Sequence, residues 1–303
     1  MAWRIPIEGK MKVERLLLEK VQNRQKGAMM QTGYYAAAGG MVTQFNRLDT
    51  IANNLANANT AGFKKDATVT GDFLRLFREA REILPLPNDT AEGAQFYHRS
   101  LSRVPRIDEG YTDHSLGTVQ QTGNTFDFAL GREGLFFVVN TPGGIRLTRD
   151  GSFTLSDEGK LVTKQGYEVL PSDYFEAQNA ITFDTTDSVI EADKNGQFYI
   201  SVPGAAQLAA TSRLMVVAPE NLKKLQKAGD GLFLPPEGET LKPLSESGAV
   251  SQGAIEKSNV NAVTEMVALI EANRLVGMYQ KAMDSQMNDL NRDAIEKLAV
   301  TRR

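Results

Sequence analysis

Ile51-Ala52-Asn53-Asn54-Leu55-Ala56-Asn57-Ala58-Asn59-Thr60-Ala61-Gly62-Phe63-Lys64-Lys65 is the stretch on which the reading of this chain turns. It closes a run of apolar or small residues at Tyr34, Ala38, Met41, Phe45, Leu48, Ala52 and Leu55. Their spacing alternates between four and three, the a/d heptad of a helix that lays one seam against another. Ala52 and Ala56 let a neighbouring backbone approach closely. Asn53, Asn54 and Asn57 are suited to hydrogen bonding between helices, where a wrong register would leave some of them unsatisfied. The alternative is that they face solvent on a monomeric helix. Gly39-Gly40 weakens the helix near its start, by about 1 kcal/mol per Gly relative to Ala. Gly62 is placed to take a left-handed C-cap conformation, with Phe63 folding back on the last turn.

A second helical pattern lies at the other end of the chain, from about Ser258 to Leu298, with Ser258 or Asn259 as N-cap. Its apolar stripe begins at Val260, Val263, Val267 and Ile270, pauses over Glu271 to Arg274, and resumes at Val276, Tyr279, Met283 and Met287. A helix of that length spans roughly 60 Å. Between the two, short apolar or alternating runs are separated by turn signals. Leu135 to Val139, Ile145 to Leu147, Phe153 to Leu155, Tyr167 to Leu170, Gln197 to Ile200 and Leu214 to Val217 read as strands. Pro142-Gly143-Gly144, Asp150-Gly151, Gln165-Gly166 and Asn195-Gly196 read as the turns between them. Asn221 to Ala228 reads as a short helix.

The fold class expected is therefore α+β: paired, coiled-coil-like N- and C-terminal helices around a central antiparallel β-rich domain. Residues 29–63 and 255–303 form a discontinuous helical core, and residues 111–254 the β-rich domain. Residues 64–110, with Leu84-Pro85-Leu86-Pro87 and the polar tract to Ser102, form a linker or extended excursion. Two helices at the termini of a chain can pack on the β-domain as an ordinary pair. They can also leave apolar surface for further copies to cover.

Composition narrows the function classes. The chain has 303 residues, no cysteine, two histidines and a net charge of -3. The absence of Cys excludes disulfides, thiolate zinc sites and a Cys nucleophile. No apolar run approaches the ~20 residues of a membrane span, and no basic stripe with interleaved aromatics suggests nucleic acid. Residues 1–28 carry seven basic and three acidic side chains, so the net of -3 leaves -7 for the rest. That segment reads as a disordered basic extension without the features of a cleaved signal peptide; an alternative is that translation begins at Met29 or Met30. Asp150, Asp157 and Glu158 sit in turns that favour Asp for local hydrogen bonding. The Gly of Asp193-Lys194-Asn195-Gly196 is misplaced for a calcium loop. His98 and His114 read as solvated. No catalytic residue, metal ligand or cofactor is expected.

The stretch quoted first resembles the N-terminal signature of the flagellar rod and hook protein family, ANNLANxxTxGFK, at every fixed position. Thr148-Arg149-Asp150-Gly151-Ser152-Phe153, with Asp157, Gly159, Leu161-Val162 and Gly166, resembles that family's central hairpin region. Gly253-Ala254-Ile255-Glu256-Lys257-Ser258-Asn259-Val260-Asn261, followed by Glu265-Met266, resembles the lead-in to its last helix. Ala272-Asn273-Arg274-Leu275-Val276 departs from the QRAYE common in distal members, and the wording SNVNAV leans to the proximal rod. The resemblance implies a structural subunit of a hollow helical assembly spanning the periplasm. It implies export by the flagellar type III apparatus without a cleaved signal, and contact with copies of itself and other axial proteins. It implies a subunit interface at Tyr34, Met41, Phe45, Leu48, Ala52, Asn53, Asn54, Leu55, Asn57, Val260, Val263, Val267 and Ile270. A distal rod or hook-type member is the alternative within the family, and a secreted β-rich enzyme or adhesin the alternative outside it.

Overall fold

The computed structural model describes residues 34, 36–72, 105–177, 179–183, 189–201, 209–236, 238, 241–244 and 248–300. The extension at 1–28, the Pro-containing stretch at 84–102 and His98 lie outside the described residues. Helix α1 covers 36–56. The strands are β1 (Asp66–Asp72), β2 (Pro105–Thr112), β3 (Val119–Gln121), β4 (Phe128–Leu130), β5 (Phe136–Thr141), β6 (Gly144–Thr148), β7 (Phe153–Leu155), β8 (Leu161–Thr163) and β9 (Glu168–Val169). After α2 (Tyr174–Ala177) come β10 (Val189–Ala192), β11 (Gln197–Ser201), β12 (Ala209–Arg213), β13 (Val216–Val217), β14 (Gln226–Gly229), β15 (Leu232–Leu234), β16 (Val250–Gln252) and β17 (Ala254–Glu256). Helix α3 (Ala262–Val300) closes the chain. The fold is α+β, terminal helices with an antiparallel β-rich centre.

The largest sheet runs β14-β15-β6-β5-β9-β8-β7, with β13 also paired to β5. Strand β5 explains why Leu135 to Val139 reads as an unbroken apolar run. Alternate side chains on a strand point to opposite faces, and here both faces are covered. Phe137 and Val139 enter one core with Phe128, Phe153 and Phe198. Phe136 and Val138 enter a second with Leu147, Met215 and Phe233. Aromatic rings knit the first core edge-to-face, with Phe137–Phe153 centroids at 5.3 Å and Phe183–Phe198 at 5.0 Å, a geometry that adds to simple area burial.

One expected helix is absent. Residues 221–228 form a 3-10 turn, Leu222–Lys224, followed directly by β14. The Asn221 side chain accepts from Lys223 N at 3.1 Å, as an N-cap should. The following residues pair with β15, which in turn pairs with β6. Joining an existing sheet outweighs a local preference worth only tenths of a kcal/mol per residue. The reversal uses Gly229, Asp230 and Gly231, all at positive φ.

Both expected caps move. Helix α1 ends at residue 56, so Gly62, although left-handed at φ +67, is not its C-cap. Helix α3 starts at Ala262, and its N-cap is Asn261 in place of Ser258 or Asn259. The Asn261 Oδ1 accepts from Val263 N at 3.0 Å and Thr264 N at 3.2 Å, satisfying two of the orphan donors of the first turn.

The described residues fall into two compact units. One takes in the described parts of Met1–Thr50, Thr68–Gly110 and Val267–Arg303; the other takes in Ile51–Ala67 and Tyr111–Met266. In the first, α1 and α3 meet where Tyr279 lies against Gly40. A Cβ added to Gly40 would stand 2.5 Å from that ring, which gives the second glycine of Gly39-Gly40 a packing reason.

Candidate functional site

Three sequence motifs far apart in the chain converge on one buried charge cluster in the β-rich unit. Lys64 follows Gly62-Phe63, Arg149 follows β6, and Glu256 ends β17. The Lys64 Nζ lies 2.6 Å from Glu256 Oε1, and the Arg149 guanidinium donates to Glu256 Oε2 from Nε at 2.7 Å and from Nη2 at 2.6 Å. All three side chains are almost wholly buried. Backbone carbonyls take further donors of both cations. Lys64 Nζ donates to Ser115 O at 2.6 Å, and Arg149 Nη1 to Leu135 O at 2.6 Å and Arg132 O at 2.9 Å. Gly117 N donates to Glu256 Oε1 at 2.8 Å. Burial pushes Lys64 and Arg149 below their ordinary values, opposed by the bonds and charge of Glu256. Removing one partner of such a cluster costs about 3–5 kcal/mol, because the others are left buried and uncompensated.

The surrounding contacts tie residues 62–65 to residues 256–259. Gly62 N donates to Glu256 O at 2.8 Å, and Asn259 N to Phe63 O at 3.4 Å. Asn259 also accepts from Lys65 N at 2.8 Å and donates to Asp113 O at 2.8 Å. Ser258 makes a local turn, its Oγ accepting from Val260 N at 3.2 Å. Gly62 lies so close to the Arg149–Asp150 peptide that a Cβ would collide with Asp150 N. Phe63 is buried, with Lys227 Nζ 4.3 Å from its ring centroid. Lys227 also holds Lys64 O at 2.6 Å and Asp66 Oδ2 at 2.8 Å. His114, expected to be solvated, packs against Phe136 and Phe233, and its Nδ1 is buried without a hydrogen-bond partner among the described residues.

The interface residues expected from sequence divide into two groups. Asn54 is buried and fully engaged within the chain. Its Nδ2 donates to Asp66 O at 2.8 Å and its Oδ1 accepts from Asp66 N at 2.9 Å, in place of the contact with another helix expected of it. Asn57 Nδ2 donates to Asn53 O at 2.9 Å on the exposed side. The α1 residues buried within the helical unit are Ala37, Gly40, Thr43 and Gln44, of which Ala37, Gly40 and Gln44 lie one residue before the expected heptad. Small side chains mark that seam, which a search for large apolar residues passes over. Tyr34, Met41 and Leu48 are half-buried, as is Leu55 in the β-rich unit; Phe45 and Ala52 are exposed. Val260, just before α3, is half-buried, and on α3 Val263, Val267 and Ile270 are 69%, 52% and 66% exposed. Ala272, inside the apparent pause of the stripe, is fully buried.

The triad itself escaped the reading of individual residues, although each member lies in one of the three motifs. The available signal was charge in otherwise apolar or turn-bound contexts, with Glu256 the one carboxylate between Glu246 and Glu265. The Asp150 carboxylate accepts from Ser152 N and Ser152 Oγ, and Asp193 Oδ1 accepts from Asn195 N and Gln197 N. These are turn contacts, and among the described residues no group of three His, Asp or Glu could hold a metal.

A discontinuous α+β chain, with the segments after α1 and before α3 tied at a buried ion cluster and apolar helix faces left open, is the class these observations define. Comparison with known proteins identifies that class. The family described as Flagella basal body rod protein matches residues 35–64, the Flagellar hook protein FlgE/F/G D1 domain matches 132–205, and the Flagellar basal body rod FlgEFG protein C-terminal region matches 251–295. The chain belongs to the flagellar basal-body rod protein family. The flagellar basal-body rod protein FlgF of Caulobacter vibrioides is 32% identical over 89% of this chain and 98% of its own length. FlgG of Borreliella burgdorferi is 31% identical over 86% of this chain and 97% of its own. FlgF of Rhizobium meliloti is 29% identical over 90% of this chain and 100% of its own.

Proposed function

We propose that this chain is a proximal, FlgF-like structural subunit of the flagellar rod whose terminal helices pack against copies of itself and neighbouring axial proteins. The observation that carries the packing is the open apolar face of α3. Val263, Val267 and Ile270 lie three and four residues apart, which places them on one helix face, and all are largely exposed. On α1, Val42 and Phe45 are exposed as well. A stable monomer has no reason to present such stripes, whereas a subunit in a non-closing assembly buries them against its neighbours. Asn53, exposed on α1, and Asn57, half-buried just after it, would supply polar contacts that discriminate register. The coiled-coil pairing of the helices is part of the same reading. Delivery is by the flagellar type III export apparatus, and the working site is the basal body. No helix among the described residues is long and apolar enough to cross a membrane.

Val267→Asp and Ile270→Asp test the stripe. Each variant is expected to lose motility and to be missing from purified basal bodies, while the thermal transition of the β-rich unit stays at the wild-type value. Motile cells with normal rods would sink the reading. The position of a labelled subunit in imaged basal bodies distinguishes proximal from distal rod: a label at the distal end would replace FlgF-like by FlgG-like.

A further inference from the structure

Residues 62–65 meet the 256–259 segment at two positions, Gly62 and Lys64 at Glu256 and Phe63 and Lys65 at Asn259, and the buried triad includes the first of them. We propose that Lys64, Glu256 and Arg149 form a register lock, which fixes the alignment of these two segments and detracts from stability in doing so. The Glu256 carboxylate is filled. Oε1 takes Lys64 Nζ and Gly117 N, and Oε2 takes both nearby nitrogens of Arg149. Two cations therefore face a single anion in a site closed to water.

Slipping the C-terminal segment by one residue brings either Lys257 or Ile255 into the Glu256 position. Lys257 adds a third cation to the cluster, and Ile255 leaves two buried cations without any anion. A slip of two brings Ala254 or Ser258, neither of which carries charge. A slip of the N-terminal segment would let Lys65 replace Lys64, but it moves a side chain into the Gly62 position, where a Cβ collides with Asp150 N. Charge and sterics oppose each of these slips, in addition to the pairing of β17 with β3.

Replacing a buried ion triad with apolar residues of similar volume is often neutral or stabilising, whereas removing one member is strongly destabilising. Fixing register is the best-attested use of such groups. Helix α3 begins at Ala262, three residues after Asn259, so a one-residue slip would turn it by about 100° about its axis. The functional consequence, a misdirected Val263–Val267–Ile270 face, rests on the assembly reading above. The lock itself does not.

Three forms of the full-length chain separate the ideas: wild type, Glu256→Gln, and the triple variant Lys64→Met, Arg149→Met, Glu256→Leu. Thermal unfolding reads stability, and amide hydrogen exchange at Gly62, Lys65 and Asn259 reads register. The expected result is a lower transition for Glu256→Gln. The triple variant is expected to melt at or above wild type but to lose protection at those three amides, while β5 and β6 keep theirs. A triple variant that melts below wild type or fails to fold makes the triad a net stabiliser and overturns the proposal. Unchanged protection in a triple variant that melts normally overturns it too, because the register is then set elsewhere. Both readouts use the unassembled subunit, so failure of the rod reading leaves this result intact.

Discussion

At the scale of the residue, His114 carries a prediction that its sequence context did not suggest. Burial holds the ring below its ordinary value of 6.5, the charge of Lys64 lowers it further, and Lys227 and Arg149 add to this. A hydrogen bond to the Leu222 carbonyl acts in the opposite direction. A histidine depressed in the folded state binds its proton more readily unfolded, so its contribution is complete above pH 6.5 and declines as pH falls below that value. His114→Gln should flatten the fall in melting temperature on going below pH 6.5 while leaving other acid-sensitive terms in place. An unchanged slope in that variant would remove the argument. Sequence could not place this side chain, because a histidine between Asp113 and Ser115 reads as loop, and its neighbours Phe136 and Phe233 come from distant strands.

At the scale of the element, α1 shows how a seam can be hidden in small residues. The heptad from Tyr34 to Leu55 was legible, and so was the helix. The buried face lies mostly one residue earlier, and at Gly40 the close approach of Tyr279 requires the missing side chain. Gly40→Ala should therefore fail to deliver the ~1 kcal/mol that an exposed helical Gly→Ala exchange gains. It should lower the helical melting transition instead, and Tyr279→Ala in the same chain should recover much of the loss. Circular dichroism melts of the two single variants and the double complete a double-mutant cycle. Additive effects would mean that the ring and the glycine are not coupled. The same lesson applies in the β-rich unit, where residues 226–229 join β15 in defiance of a helical pattern.

At the scale of the whole molecule, the partition of the chain can be tested by limited proteolysis. The sequence alone bounded the β-rich domain at 111–254. The contacts place Ile51–Ala67 and the segment through Met266 with the β-rich unit, because Lys64 and Glu256 are both internal to it. Mass spectrometry should find a persistent core bounded near Ile51 and Met266; trimming to 65 and 250 without loss of folding would contradict the triad's place in that unit. By itself the sequence determined the α+β class, most of the strands, the two terminal helices and the family. Those signals are local: periodicity, turn residues, and short motifs with fixed spacing. Only the tertiary structure decided that Lys64, Arg149 and Glu256 meet. It also decided that Asn54 turns inward to Asp66, that Asn261 caps α3, and which stripe of α1 is buried. Each depends on contacts between residues far apart in the chain or on competition among neighbouring caps, and periodicity along one segment does not encode its partner.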